Sequence, residues 1–258
     1  MRIYAIGDIH GQLDKLKDVH DRIARDRART GVPRAPVVHL GDLVDRGPDS
    51  KWVIEYLIRG IERHEPWIVL KGNHDQGFAN QLGLPQTREL PYRTWISGPW
   101  GGRETVMSYG IDPDHGTFWR SEARVRDALR KAVPEEHRRF LQGLPLHHAT
   151  DDAIFVHAGL RPGLELSEQI EDDLMWIRGE FLNDPRDHGR LVVHGHTPVD
   201  LPTHYGNRVN VDTGAGYGRA LTVIVLEGRD VWVLDDAAER VPLLPGEIVT
   251  SGGPAPDW

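Results

Sequence analysis

The chain has no cysteine among its 258 residues. That excludes a disulfide framework and thiolate chemistry. It also has no apolar run approaching the roughly 20 residues that a membrane span needs. The opening "MRIYAIGDIHG" lacks a long apolar stretch of the kind that drives secretion. A cytoplasmic protein with no membrane partner is the expectation. Basic residues are in the minority, 31 against 39 acidic ones, for a formal net charge of −8. No basic stripe stands out, so no nucleic-acid partner is expected. Hydrophobic residues at 39% and charged residues at 27% describe an ordinary globular chain. Its length allows one large domain or two small ones.

What is present is a repeated unit. "RIYAI" (2–6), "PVVHL" (36–40) and "WIVLK" (67–71) are short apolar runs ending in Gly7-Asp8, Gly41-Asp42 and Gly72-Asn73. Between the first two, Leu13, Leu16, Val19 and Ile23 share one helical face, predicting a helix over 12–28. After the second run Val53, Leu57 and Ile61 do the same, with Asp49 or Ser50 placed to cap that helix. Strand, glycine, polar residue, helix: three such units imply βαβ alternation and a largely parallel sheet.

The middle is less regular. Residues 83–120 hold several prolines, Trp95, Trp100 and a "GPWGG" turn, and read as loop and insertion. Helical patterns follow at about 121–133 and 135–142, where Glu135 and Glu136 suit a helix start after Pro134. Then come "AIFVH" (153–157), "LVVHG" (191–195), "ALTVIVL" (220–226) and "DVWVL" (230–234). These late, closely spaced strands suggest a second sheet packed on the first. The expected organisation is one domain over 1–245, with an insertion at about 83–145 and a disordered tail at 246–258.

In open α/β sheets, ligands bind beyond the carboxyl ends of the strands. Every polar cluster here follows an apolar run. "GDIHG" holds Asp8 and His10, "GDLVDRG" holds Asp42, Asp45 and Arg46, and "GNHD" holds Asn73, His74 and Asp75. "FVHAG" holds His157, and "VVHGHT" holds His194 and His196. Any one of these is ordinary, since an Asp or Asn after a strand often caps the next helix. Five strand ends in a row are not explained that way. Oxygen and imidazole donors without soft sulfur suit manganese, iron or zinc. The donors are too many for one tetrahedral ion. Two ions sharing a carboxylate, about 3.5–4 Å apart as in two-metal hydrolases, fit better.

The ordered set "GDIHG", "GDLVDRG", "GNHD", "HAG" and "GHT" resembles the calcineurin-like metallophosphoesterases, in particular their bacterial and phage-type phosphoprotein phosphatase branch. The match runs from residue 1 to about 235. It implies a four-layer α/β/β/α sandwich with two mixed sheets. It also implies two divalent metals, most readily manganese. One would be held by Asp8, His10 and Asp42, the other by Asp42, Asn73, His157 and His196. A hydroxide bridging the metals would attack phosphorus in line. His74, oriented by Asp45, would protonate the leaving oxygen, and Arg46 and Arg178 would hold the phosphate. The implied substrates are phosphoserine or phosphothreonine proteins, with phosphotyrosine and small aryl phosphates as additions. The alternative is a dinucleoside polyphosphate hydrolase similar to the symmetrical diadenosine tetraphosphatases, which resemble "GDLVARG" where this chain has Asp45. A phosphate-binding protein without activity would have lost ligands, and all six metal positions are filled.

The chain departs from the family pattern in places. Asp75 stands where Glu is usual, and Pro198 stands where many superfamily members carry a second histidine. Tyr217, in "DTGAGYGR", lies near the end of the match without a clear counterpart, and the "DTGA" loop before it, Asp212 to Ala215, resembles the bacterial branch. His194 reads as strand packing or as a support for a ligand, and His147-His148 as surface. Arg103 in "GGRET" reads equally as a phosphate contact or a loop residue.

Overall fold

The computed structural model describes residues 1–113 and 121–246. In chain order it contains β1 (Arg2–Ile6), α1 (Leu13–Thr30), β2 (Val37–His39), α2 (Ser50–Glu62), β3 (Trp67–Val69) and α3 (Asn73–Gln81). Four helices follow: α4 (Tyr92–Ile96), α5 (Gly102–Ser108), α6 (Glu122–Ala132) and α7 (Glu135–Gly143). The second half has β4 (His147–Ala149), β5 (Ala153–Val156), α8 (Glu171–Trp176), α9 (Gly179–Leu182), β6 (Leu191–His194), β7 (Thr203–His204) and β8 (Arg208–Asn210). It closes with β9 (Val223–Glu227), β10 (Asp230–Leu234) and β11 (Arg240–Pro242).

These strands build two mixed sheets, ordered β11-β10-β9-β1-β2-β3 and β4-β5-β6-β8-β7. β1, β2 and β3 run parallel, with Tyr4 opposite Val37 and Val37 opposite Trp67. Side chains alternate across a strand. In β1, Ile3 and Ala5 point into the core between the sheets, with Val38 and Leu40 beside them and Phe155, Val193 and Val209 opposite. Tyr4 and Ile6 point the other way, onto Leu16 and Ile23 of α1 and Val53 and Leu57 of α2. On the second sheet, Ile154, Val156 and Val192 pack outward on Leu174 and Phe181. Helix, sheet, sheet, helix: this is the four-layer α/β/β/α sandwich. Strands covered on both faces carry near-continuous apolar runs, which explains why they were visible as such.

The structure revises several expectations. The late strands do not form one sheet: β5 and β6 lie in the second, whereas β9 and β10 return to the first, antiparallel beside β1. The segment expected to be loop carries α4 and α5, and Trp95 of α4 is fully buried in the main core. Asp49 occupies the cap position of α2 without a side-chain bond, and the neighbouring Ser50 hydroxyl accepts the Asp45 backbone N–H instead (3.1 Å). His147 and His148 form the half-buried edge strand β4. Gly246, expected to begin the tail, donates its N–H to the His204 carbonyl (2.9 Å). The remainder of that tail, and residues 114–120 of the insertion, lie outside the described residues.

Candidate metal centre

The polar ends of β1, β2, β5 and β6 and the start of α3 converge. The turns after β1, β2 and β6 are tight enough to force non-glycine residues into the left-handed region. His10, Asp42, Asp45, Arg46 and His196 all have φ between 47° and 71°. Such backbone costs energy and clusters where side chains must be aimed.

Asp42 lies at the centre. Its Oδ2 is 3.5 Å from His10 Nε2 and its Oδ1 is 3.4 Å from His157 Nε2. The Asn73 amide oxygen lies 2.9 Å from His157 Nε2 and 2.8 Å from His196 Nδ1. Each imidazole is oriented from behind: His10 Nδ1 donates to the Val44 carbonyl and His157 Nδ1 to the Leu40 carbonyl, both at 2.9 Å. That fixes the tautomer and turns the unprotonated Nε2 of each ring towards Asp42. Donor atoms of His10, Asp42 and His74, and of Asp42, His157 and His196, lie within 4.8 Å of one another. Asp42 belongs to both groups.

A divalent ion suits this donor set. Asp8 Oδ1 is buried with no hydrogen-bond partner, while Oδ2 accepts from the His196 backbone N–H (3.0 Å). An orphaned buried carboxylate oxygen is costly unless a cation meets it. Burial, with Asp212 and Asp42 nearby, pushes the Asp8 carboxyl well up. Burial pushes Asp42 up to about 7 and Asp212 up to about 6. Burial lowers the imidazoles, His157 to about 4, and His10 and His196 well below their usual value. Crowded carboxylates beside neutral imidazoles are what a bound cation would stabilise. Two glycines make the room: a Cβ on Gly72 would overlap Asp42 Oδ1, and one on Gly195 would overlap Asp8 Oδ1.

His74 stands beside this group with Nδ1 2.9 Å from Asp45 Oδ2. The Arg46 guanidinium donates to His74 Nε2 (3.1 Å) and His10 Nε2 (2.6 Å). Arg178 donates to His196 Nε2 (3.1 Å). The two arginines therefore flank the ligand cluster. Asp45 is held by Trp95 and Thr105, which the sequence left without a role, and by Ser50, expected only as a helix cap. Trp95 Nε1 donates to Oδ2 (2.9 Å), Thr105 Oγ1 donates to Oδ1 (2.7 Å), and the Asp45 N–H is bonded to Thr105 and Ser50. A tryptophan in a proline-rich loop was the only signal. Asp75 ties two motifs together, accepting from the Leu43 and Gly72 N–H groups, both at 2.9 Å. His194 faces Phe181 in its strand, with Nε2 3.3 Å from Arg208, and takes no part in the cluster. Tyr217 is half-exposed with the Arg46 guanidinium 4.5 Å above its ring. Arg103 lies in the first turn of α5, two residues after Gly101, whose carbonyl receives the Arg46 N–H.

The profile of the family described as calcineurin-like phosphoesterase matches residues 1–224. The chain belongs to that family. Among curated proteins it is similar to the asymmetrical bis(5'-nucleosyl)-tetraphosphatase PrpE of Geobacillus thermodenitrificans. Identity is 27% over 244 residues, covering 87% of this chain and 90% of the relative. The protein of the same name from Halalkalibacterium halodurans matches at 27% over 243 residues, covering 87% of this chain and 89% of its own. Among solved structures, a cold-active protein tyrosine phosphatase superposes with a TM-score of 0.64 at 16% identity, covering 95% of this chain and 79% of that one. A candidate diadenosine tetraphosphatase superposes with a TM-score of 0.61 at 20% identity, covering 95% of each chain. At these identities the structural likenesses speak to the fold alone. This phosphoesterase chain has no helix among its described residues that is long and apolar enough to cross a membrane.

Proposed function

We propose that the chain is a metal-dependent phosphomonoesterase acting on phosphoserine or phosphothreonine proteins, with phosphotyrosine and small aryl phosphates as further substrates. The observation that carries this reading is the His74–Asp45 pair. A serine or threonine leaves as a strongly basic alkoxide and needs a proton as the bond breaks. A nucleotide leaving from a phosphoanhydride is far less basic and needs little such help. A buried Asp45 with three side-chain donors aimed at it is an expensive way to hold a ring that did not need holding.

Asp8, His10 and Asp42 would hold one divalent ion, and Asp42, Asn73, His157 and His196 a second. Manganese is the favoured metal, with iron or zinc as substitutes. The ions supply the positive charge that a phosphate dianion requires before a nucleophile can approach. Arg46 and Arg178 would pair with phosphate oxygens, a task their forked guanidinium groups suit. His74, with Nδ1–H directed at Asp45, would hand a proton from Nε2 to the leaving oxygen.

A second reading is asymmetrical hydrolysis of dinucleoside tetraphosphates. It is favoured by the names of the curated relatives, which match over 87% of this chain. On that reading diadenosine tetraphosphate would yield AMP and ATP rather than two ADP. Side-by-side kcat/KM values for a phosphoserine peptide and diadenosine tetraphosphate, with manganese, decide between them. The first reading expects the peptide to be the better substrate; a tenfold or greater preference for the dinucleotide reverses the order. No turnover of either, or of 4-nitrophenyl phosphate, with manganese, iron, zinc or cobalt would overturn the phosphoesterase reading.

A further inference from the structure

The "GPWGG" turn has no part in the cluster above, yet it is pinned to it. Arg46 donates its backbone N–H to the Gly101 carbonyl (2.9 Å) and its Nε to the Pro99 carbonyl (3.2 Å). Trp100, between them, is thereby set against His74, with ring centroids 4.6 Å apart and planes at 41°. Trp176 continues the surface. Its ring is 5.6 Å from that of Trp100 at 51°, and its Nε1 is anchored to Gln76 Oε1 (2.8 Å), two residues beyond His74. Arg88 completes the group, with its guanidinium 4.3 Å from the Trp176 ring centre. Both tryptophan rings are half-buried and Arg88 is exposed. Three flat groups therefore run outward from the residue that marks the leaving-group side.

We propose that Trp100, Trp176 and Arg88 form a stacking subsite for an aromatic ring carried on the leaving group. The proposal rests on the phosphoesterase reading, because His74 fixes which side the leaving group occupies. Rings prefer offset or edge-on contact with other rings, and guanidinium groups stack on ring faces. The occupant is a flat ring joined to the ester oxygen directly or through a short linker: the phenol ring of an aryl phosphate, or the base of a nucleoside phosphate. An aliphatic phosphoester presents nothing to these surfaces. Arg88 pairs only loosely with Asp172, at 3.7 Å with both partners exposed, so it can follow a ligand at little cost.

Titration calorimetry on the manganese-loaded protein tests this with the non-hydrolysable phosphonate analogues of phenyl phosphate, AMP and glycerol 2-phosphate. Stacking on an aromatic side chain is worth about tenfold or more in affinity. Wild type should bind one or both ring-bearing ligands about tenfold more tightly than glycerol 2-phosphate. Trp176→Ala should erase that preference and Trp176→Phe should retain it. Arg88→Ala, a change at an exposed position that leaves the core intact, should narrow it severalfold. A preference confined to phenyl phosphate assigns the subsite to aryl esters, and one confined to AMP assigns it to nucleobases. No preference in wild type, or one that survives in both Trp176→Ala and Arg88→Ala, overturns the proposal. Turnover of the three corresponding esters by the same preparations is read separately. Its absence alongside an intact binding preference would overturn the phosphomonoesterase reading and leave the stacking subsite standing.

Discussion

Replacing Asp45 by asparagine isolates the charge behind His74 with little disturbance of shape. Asp45 Oδ2 accepts from His74 Nδ1 and Trp95 Nε1, each at 2.9 Å, and Oδ1 accepts from Thr105 Oγ1 at 2.7 Å. A carboxamide can keep its oxygen towards His74 and Trp95 and turn its NH₂ to Thr105. That hydroxyl then rotates to donate to Ser50 Oγ, 3.0 Å away. The buried Ser50 hydroxyl gives up Thr105 as its acceptor in this exchange, so folding stability should fall by about 1–2 kcal/mol. What is lost is the carboxylate that, on the proposed reading, would stabilise a protonated His74. Unit charges 2.9 Å apart attract by about 6 kcal/mol at an effective dielectric near 20. The amide dipole recovers part of this. A net loss of about 3–4 kcal/mol corresponds to about 10²–10³ in rate, within what general acid catalysis supplies. The assay compares kcat for a phosphoserine peptide and for 4-nitrophenyl phosphate, whose leaving group needs almost no proton. Asp45→Asn should lose about 10²–10³ on the peptide and less than about tenfold on the aryl ester, with metal content unchanged. Equal losses on the two substrates, or loss of metal, would refute the assignment of His74 and Asp45.

Two further perturbations probe other parts of the structure. Gly195→Ala puts a methyl group where Asp8 Oδ1 lies, at a position with ordinary backbone angles. Metal analysis of that variant should show the ion assigned to Asp8 lost or weakened, with turnover down at least about tenfold; full metal content would mean that Asp8 is free to move. Away from the site, Asp26 accepts from Tyr4 and Arg240 (2.6 Å each) and Arg29 (2.8 Å). Burial pushes the Asp26 carboxyl up, but these donors outweigh it and hold it down at about 2, below the ordinary 3.8. Because the folded value lies below the unfolded one, the stabilisation is complete above about pH 4 and is lost as pH falls towards 2. Urea titrations at pH 5 and pH 2.5 should show about 1–2 kcal/mol of this loss in wild type, and little of it in Asp26→Asn. An equal acid loss in both proteins would remove Asp26 from the account.

The three βα units and the polar residues at their ends were legible because each is local. β1 and β2 are buried on both faces and the edge strand β3 partly so; each run is followed by a glycine and a charged or amide residue, and the first two of the helices that follow repeat on a 3.6-residue face. The sheet to which a late strand belongs was not legible. β9 and β10 look like β5 and β6 in composition, and only the pairing of Val223–Glu227 with β1 places them in the first sheet. β7, β8 and β11 are two or three residues long and, unlike the equally short β2 and β3, do not lie in a longer apolar run. Trp95 and Thr105 were hidden for a different reason: their partner Asp45 is 50 and 60 residues away in the chain. The Asp45 to His74 contact, across 29 residues, was found only because both belong to motifs that resemble a family.

The account stands most directly on Asp42 serving two metal ions at once. Metal content of the protein reconstituted with manganese, measured for wild type, Asp8→Asn and Asp42→Asn, tests this. Wild type should hold about two ions per chain. Asp8→Asn should keep about one, and Asp42→Asn should keep neither under the same conditions. A wild type that binds a single ion, or an Asp42→Asn variant that retains one as tightly as before, would contradict the shared carboxylate.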